Sequence, residues 1–165
     1  MSKVEVIVSG LAWMGSGRRS IESTIDELLN KAQSEVLITA YSIGNTSDRI
    51  FGGWKKVLQR GVRIRMIVNR LDEQAEHVVQ ELQRLQAIHP YFELYSFESS
   101  DPLADLHAKT IVIDGEYAIV GSANISFRGL TTNHELALLV DGEAASQVAV
   151  AVEKLFASRY CKRVI

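Results

Sequence analysis

His107-Ala108-Lys109, then Asp114, then Gly121-Ser122-Ala123-Asn124 set out residue types that can act on a phosphodiester. An imidazole is a nucleophile able to attack phosphorus. An ammonium two residues on can hold the phosphate charge, and a hydroxyl and a carboxamide can hold its remaining oxygens. A further carboxylate, Glu135, follows in Asn133-His134-Glu135 at the head of an apolar run, placed to fold back and orient the imidazole of His107. A lone His with a Lys two residues on is usually coincidence; the whole spaced set followed by Glu135 is not.

Two strands have to carry these groups. Lys-Thr-Ile-Val-Ile-Asp from Lys109 and Glu-Tyr-Ala-Ile-Val from Glu116 are runs rich in β-branched residues, and the Asp114-Gly115 between them is a two-residue hairpin signal. In the simplest register Ile113 lies opposite Glu116 and His107 opposite Ser122. Alternation along each strand then turns His107, Lys109, Ser122 and Asn124 to one face and Asp114 to the other. Asp114 is therefore expected to brace the structure and not to take part in catalysis.

The pattern His-x-Lys-x4-Asp-x6-Gly-Ser-x-Asn resembles the signature of the phospholipase D superfamily at every defining position. The resemblance extends to a strand over Val36 to Ile43 with Tyr41 near its end, a helix to Arg60, and Gly61-Val62-Arg63-Ile64 opening the next strand. It implies that His107 forms a phosphohistidine, that Lys109 and Asn124 bind phosphate oxygens, and that Ser122 supports them. It further implies that Glu135 is the acidic partner of the imidazole, that Asp114 is a structural acid, and that no metal or other cofactor is used.

A double displacement also needs an acid for the leaving oxygen, a role that this superfamily gives to a second motif copy. No second copy is present: His77, His89 and His134 lack a Lys two residues on. Two chains must then supply the two halves, which predicts a twofold homodimer with a composite active site.

The elements around the motif alternate. The 165 residues, 47% hydrophobic with a formal net charge of -2, fit one globular domain spanning 1–165. Strands are expected at Val4 to Val8, Val36 to Ile43, Val62 to Asn69, Tyr91 to Phe97 and Glu135 to Val140, besides the motif hairpin. Helices are expected at Ile21 to Ala32, from a cap in Asn45 to Ser47 as far as Arg60, at Asp72 to Ala87, and from Ala144 to about Tyr160. The expected class is α/β, a mixed β-sheet sandwiched between helices on both faces, because the motif hairpin must be antiparallel. No secretory leader or membrane-spanning run is apparent, so cytoplasmic residence without membrane insertion is expected. Cys161, the only cysteine, excludes an intrachain disulfide and cysteine-based zinc spacings.

The substrate is less legible. Lys55, Lys56, Arg60, Arg63, Arg65 and Arg70 occur without an intervening acid, and Arg63 and Arg65 share a strand face from which they are placed to track a phosphate backbone. Against that stands a solvated helix face with snorkelling strand ends. Arg18 and Arg19, in Gly15-Ser16-Gly17-Arg18-Arg19-Ser20, offer a second basic group before a helix. Trp13 and Trp54 can stack on bases, in competition with core or interface packing. The favoured reading is a metal-independent nuclease acting on DNA or RNA. The alternatives are a phospholipase D or phosphatidyl transferase on lipid head groups, and an inactive nucleic-acid-binding subunit of a DNA-processing or phage-defence complex.

Overall fold

The computed structural model describes residues 1–44 and 48–165. Strands β1 (Val4–Ser9), β2 (Arg19–Ser20), β3 (Glu35–Ala40), β4 (Arg63–Asn69), β5 (Phe92–Phe97), β6 (Thr110–Ile113), β7 (Tyr117–Gly121), β8 (Glu135–Asp141) and β9 (Cys161–Arg163) form one mixed sheet. Their order is β2-β1-β8-β7-β6-β3-β4-β5-β9. Among the described residues, the helices α1 (Ile21–Lys31), α2 (Asp48–Gln59), α3 (Glu76–Ile88) and α4 (Gly142–Phe156) pack on it. The expected cap at Asn45 to Ser47 lies outside the described residues.

Apolar spacing explains the layers. Val36 to Ala40 of β3 are all buried, as a central strand covered on both faces requires. In α1, Ile21, Ile25, Leu28 and Leu29 form one helical stripe, and the Ser20 side chain caps the helix by accepting the Ser23 amide at 3.1 Å. α1, α2 and α3 cover one face, contributing Leu28, Trp54, Leu82 and others to the main core. Among the described residues α4 alone covers the other face, with Ala145 and Val152 over Leu37, Val112 and Ala118. A single helix cannot roof the whole face: Val120, Leu136 and Leu138 are exposed there at 38%, 47% and 38%.

Three expectations need correction. The third helix starts at Glu76, because Leu71–Glu73 is a separate one-turn 3-10 segment entered through Arg70 in the left-handed region. The last helix stops at Phe156, and the chain then returns to add β9, antiparallel to β5. The hairpin turns at Asp114 and Gly115, with φ of 55° and 69°, but Ile113 pairs with Tyr117 and not with Glu116. Glu116 donates its amide to Ile113 O at 2.9 Å and is the extra residue of a bulge. That one-residue slip sets Lys109 beside Gly121 on the ladder, with the Gly121 amide on Lys109 O at 3.3 Å, and moves Ser122 and Asn124 out of the face assigned to them.

Candidate active site

The sheet edge formed by the carboxyl ends of β1, β3, β4 and β7 and the amino ends of β6 and β8 gathers His107, Lys109, Ser122, Asn124 and Glu135, but not Asp114. His107 is exposed just before β6, and its Nδ1 lies 3.2 Å from the Lys109 Nζ, which also donates to His107 O at 2.9 Å. Tyr41, one residue past β3, lies against the imidazole with ring centroids 4.4 Å apart, and the Lys109 ammonium sits 5.2 Å from the same ring. Burial pulls the Lys109 pKa below the usual lysine value, and Glu135 partly offsets it.

Ser122 leaves β7 and bonds to β8, donating its hydroxyl to the Glu135 carboxylate and its amide to Leu136 O at 3.2 Å. The other Glu135 oxygen accepts from Asn133 Nδ2 at 3.4 Å. The expected contact of Glu135 with the imidazole is therefore not made within the chain; among the described residues the ring nitrogen has Lys109 as its partner. Asn124 follows a close approach of β7 and β8, where a Cβ on Gly121 would lie 2.3 Å from the Ala137 Cβ. Gly129, in the π-helical turn Arg128–Thr132, lets the chain fold over Asn124, since a Cβ there would meet Asn124 O at 2.3 Å. The Asn124 carboxamide oxygen is buried without a partner among the described residues.

Asp114 lies at the far end of the hairpin, accepting the amides of Gln33, Ser34 and Glu35 at 2.9, 2.8 and 2.9 Å. Burial raises its pKa, but those amides and the Ser34 hydroxyl outweigh burial and hold it below the usual carboxylate range. Asn69 and Asp105, which sequence reasoning did not single out, fix the approach to His107. Asn69, 4% exposed, accepts the Leu106 amide at 2.9 Å and donates to Asp105 at 3.2 Å. Arg70 Nε meets the same carboxylate at 2.8 Å, and these hydrogen bonds hold Asp105 below its ordinary range. The available signal was Asn69, a polar residue closing the apolar run Met66-Ile67-Val68 of β4.

Most of the expected cationic contacts are engaged elsewhere. Arg63 and Arg65 sit near the amino end of β4, with Arg63 roughly 20 Å from Asn69 at about 3.3 Å per residue. Glu35 binds both, at 2.8 Å to Arg63 and 2.9 Å to Arg65, and Glu153 also binds Arg65. They tie β3 and β4 to each other and to α4. Arg19 pairs with Glu5 and Glu27. Arg18 differs: it lines a cleft beside the edge that holds His107 and Lys109. Trp54, 1% exposed, is core.

The family described as "Cardiolipin synthase, PLD-like domain" matches residues 25–159. The chain belongs to the phospholipase D superfamily. Among curated relatives, the DISARM protein DrmC of Bacillus paralicheniformis is 27% identical, over 99% of this chain and 68% of that protein. Cardiolipin synthase A of Pseudomonas aeruginosa is 28% identical over 79% of this chain, which spans only 26% of that relative's length. Among solved structures, NucT from Helicobacter pylori superposes with a TM-score of 0.78 at 18% identity, covering 99% of this chain and 100% of that one. Nuc from Salmonella typhimurium, a phospholipase D family member, gives a TM-score of 0.75 at 17% identity and 99% coverage of both chains. At these identities the two superpositions show the shared phospholipase D fold alone.

Proposed function

We propose that this chain is a metal-independent nuclease, most at home on DNA, that works through a phosphohistidine on His107 in a homodimer. The observation that carries the chemistry is His107 beside a partly desolvated Lys109, on a sheet edge that Ser122, Glu135 and Asn124 also reach. The Lys109 ammonium stands 3.2 Å from Nδ1 of His107. A phosphate would draw the ammonium to its oxygens and release the ring. An unprotonated ring nitrogen of His107 then attacks phosphorus, a P–N bond forms, and the P–O bond to the leaving group breaks. The leaving oxygen needs a proton, and the His107 of a second chain is the acid that a single-motif subunit lacks. In the second step that imidazole takes a proton from water, whose oxygen displaces His107 and yields a phosphate monoester. Asn124 and both Lys109 side chains hold the phosphoryl oxygens.

The nucleic-acid reading is supported by the end-to-end superposition on NucT and Nuc, chains of the same extent. The likeness to the DISARM protein DrmC over nearly the whole chain favours work alongside other proteins in a phage-defence or DNA-processing complex. A second reading, phosphatidyl transfer, rests on the family description and on the cardiolipin synthases. Purified protein incubated in chelator with labelled single-stranded DNA, duplex DNA, RNA and phosphatidylcholine vesicles separates them. Cleavage of nucleic acid in chelator is the expected result. Activity that appears only with added magnesium sinks the phosphohistidine route, and turnover of lipid alone replaces the nuclease reading.

A further inference from the structure

We infer that the cleft between the β1–β2 connection and the π-helical turn is a subsite for a nucleotide a few positions along the strand from the scissile phosphate, with a base on Trp13 and a phosphate on Arg18. The inference rests on the nuclease reading and names the form of substrate as an unpaired strand, whose bases are free to leave the stack.

The cleft, about 340 Å³ in volume, is lined by Ser9, Gly10, Trp13, Met14, Arg18 and Thr131 among others. Its walls are held in place. Ser9, 5% exposed, donates its hydroxyl towards Asn133 O at 2.9 Å and Gly129 O at 3.1 Å. Gly10 has φ of 98°, and a Cβ there would lie 2.8 Å from Asn133 O and 2.9 Å from the His134 ring. His134 Nε2 accepts the Ala12 amide at 3.0 Å, and Trp13 leans on the imidazole at 5.7 Å between centroids. The indole is thus fixed at the rim, half-buried, while Trp54 is sealed in the core.

Charge and position agree. Arg18 is exposed and takes part in no ion pair among the described residues, in contrast to Arg19, Arg49, Arg63, Arg65 and Arg70. Glu22, the acid that also lines the cleft, is met by Arg49 at 3.5 Å. Ser9 pairs with Glu135, so the cleft opens one strand beyond the site carboxylate and three strands from Lys109. At about 4.8 Å per strand that is about 14 Å. A stacked strand, rising about 3.4 Å per nucleotide, covers it in roughly four nucleotides, and an extended one in fewer. A π face and a guanidinium at that reach suit a chain of alternating bases and phosphates. A single lipid head group ends short of them.

The test compares Trp13→Ala, Trp13→Phe and Arg18→Ala on a long oligothymidylate and on bis(p-nitrophenyl) phosphate, a diester too small to reach the cleft. Trp13→Ala should raise KM for the oligonucleotide roughly tenfold, leave kcat and the small diester unchanged, and be largely rescued by Trp13→Phe. Arg18→Ala should weaken oligonucleotide binding and lower its salt slope by about one. In parallel, tryptophan fluorescence of the His107→Asn protein should be quenched by the oligonucleotide, and this quench should vanish when Trp13→Phe is added. Oligonucleotide cleavage with an unchanged KM in Trp13→Ala, or equal losses on both substrates, overturns the subsite while leaving the nuclease reading intact. Quenching at Trp13 without any cleavage by the wild-type protein supports the subsite and sinks the nuclease reading instead.

Discussion

His107 and Lys109 are adjacent because they alternate onto one side at the head of β6, and the ammonium is held where burial makes its charge expensive. His107→Asn removes the covalent route and should abolish turnover while leaving the circular dichroism spectrum unchanged, since the ring is exposed. Lys109→Ala should cost roughly 3 kcal/mol of transition-state stabilisation, read as a fall of about two orders of magnitude in kcat/KM. The pH dependence has a definite sign. Catalysis needs the charged ammonium, burial lowers its pKa, and Glu135 raises it. The Lys109 ammonium, followed by NMR titration of its side chain, should therefore lose its proton below the ordinary lysine range, and Glu135→Gln, by removing the raising charge, should move that titration to still lower pH. A Lys109 titration that stays fixed or moves upward in Glu135→Gln would show that the carboxylate does not act on the ammonium.

At the scale of elements, the motif's Asp114 is a clamp between the β6–β7 turn and the α1–β3 connection. Replacing it with Ala leaves three amides without their acceptor and should cost roughly 2 kcal/mol, measured as a lower urea midpoint with an unchanged slope. Its folded pKa is depressed, so its contribution is complete above the unfolded carboxylate value and is lost as pH falls through the folded one. The wild type and Asp114→Ala should converge in stability on acidification through that window. The hairpin, the alternation of strands and helices, and the α/β class were legible because periodicity and the Asp-Gly turn are local signals. The register was not, since the bulge at Glu116 depends on tertiary ties of Asp114 that no local pattern encodes. β9 was missed because Cys-Lys-Arg has no apolar alternation and is recruited only by the open edge of β5. For the site, residue type exposed the phosphate chemistry, but Arg63 and Arg65 misled: strand alternation assigns a face, and only the fold brings Glu35 and Glu153 to them.

Among the described residues one imidazole has the placement that the proposed double displacement would ask of two, and the uncovered surface offers a place where a second copy would dock. On the face shared with α4, Val120 and Leu138 are direct ladder neighbours and Leu136 follows along β8, with half-buried Val6 opposite Leu138 on β1. The patch carries no charge and runs into the catalytic edge, because the Leu136 amide bonds to Ser122 Oγ at 3.3 Å. A twofold axis at the end of this patch that meets the sheet edge would bury like against like and bring the two His107-Lys109 pairs, which project from that edge, towards a common phosphate. Such an axis concentrates four cationic or ionisable groups, so apolar burial or a bound anion must offset their repulsion. Leu138→Glu places a carboxylate in the middle of that face and its symmetry mate nearby, which desolvation and like charge both penalise. Light scattering should give twice the chain mass for the wild type and the single chain mass for Leu138→Glu, whose turnover should collapse although all of its motif residues are intact. The variant should keep its far-ultraviolet circular dichroism, because Leu138 is 38% exposed and lies outside both core clusters. A monomeric Leu138→Glu protein with full specific activity would show that one chain holds the whole catalytic apparatus, and the composite site would have to be abandoned.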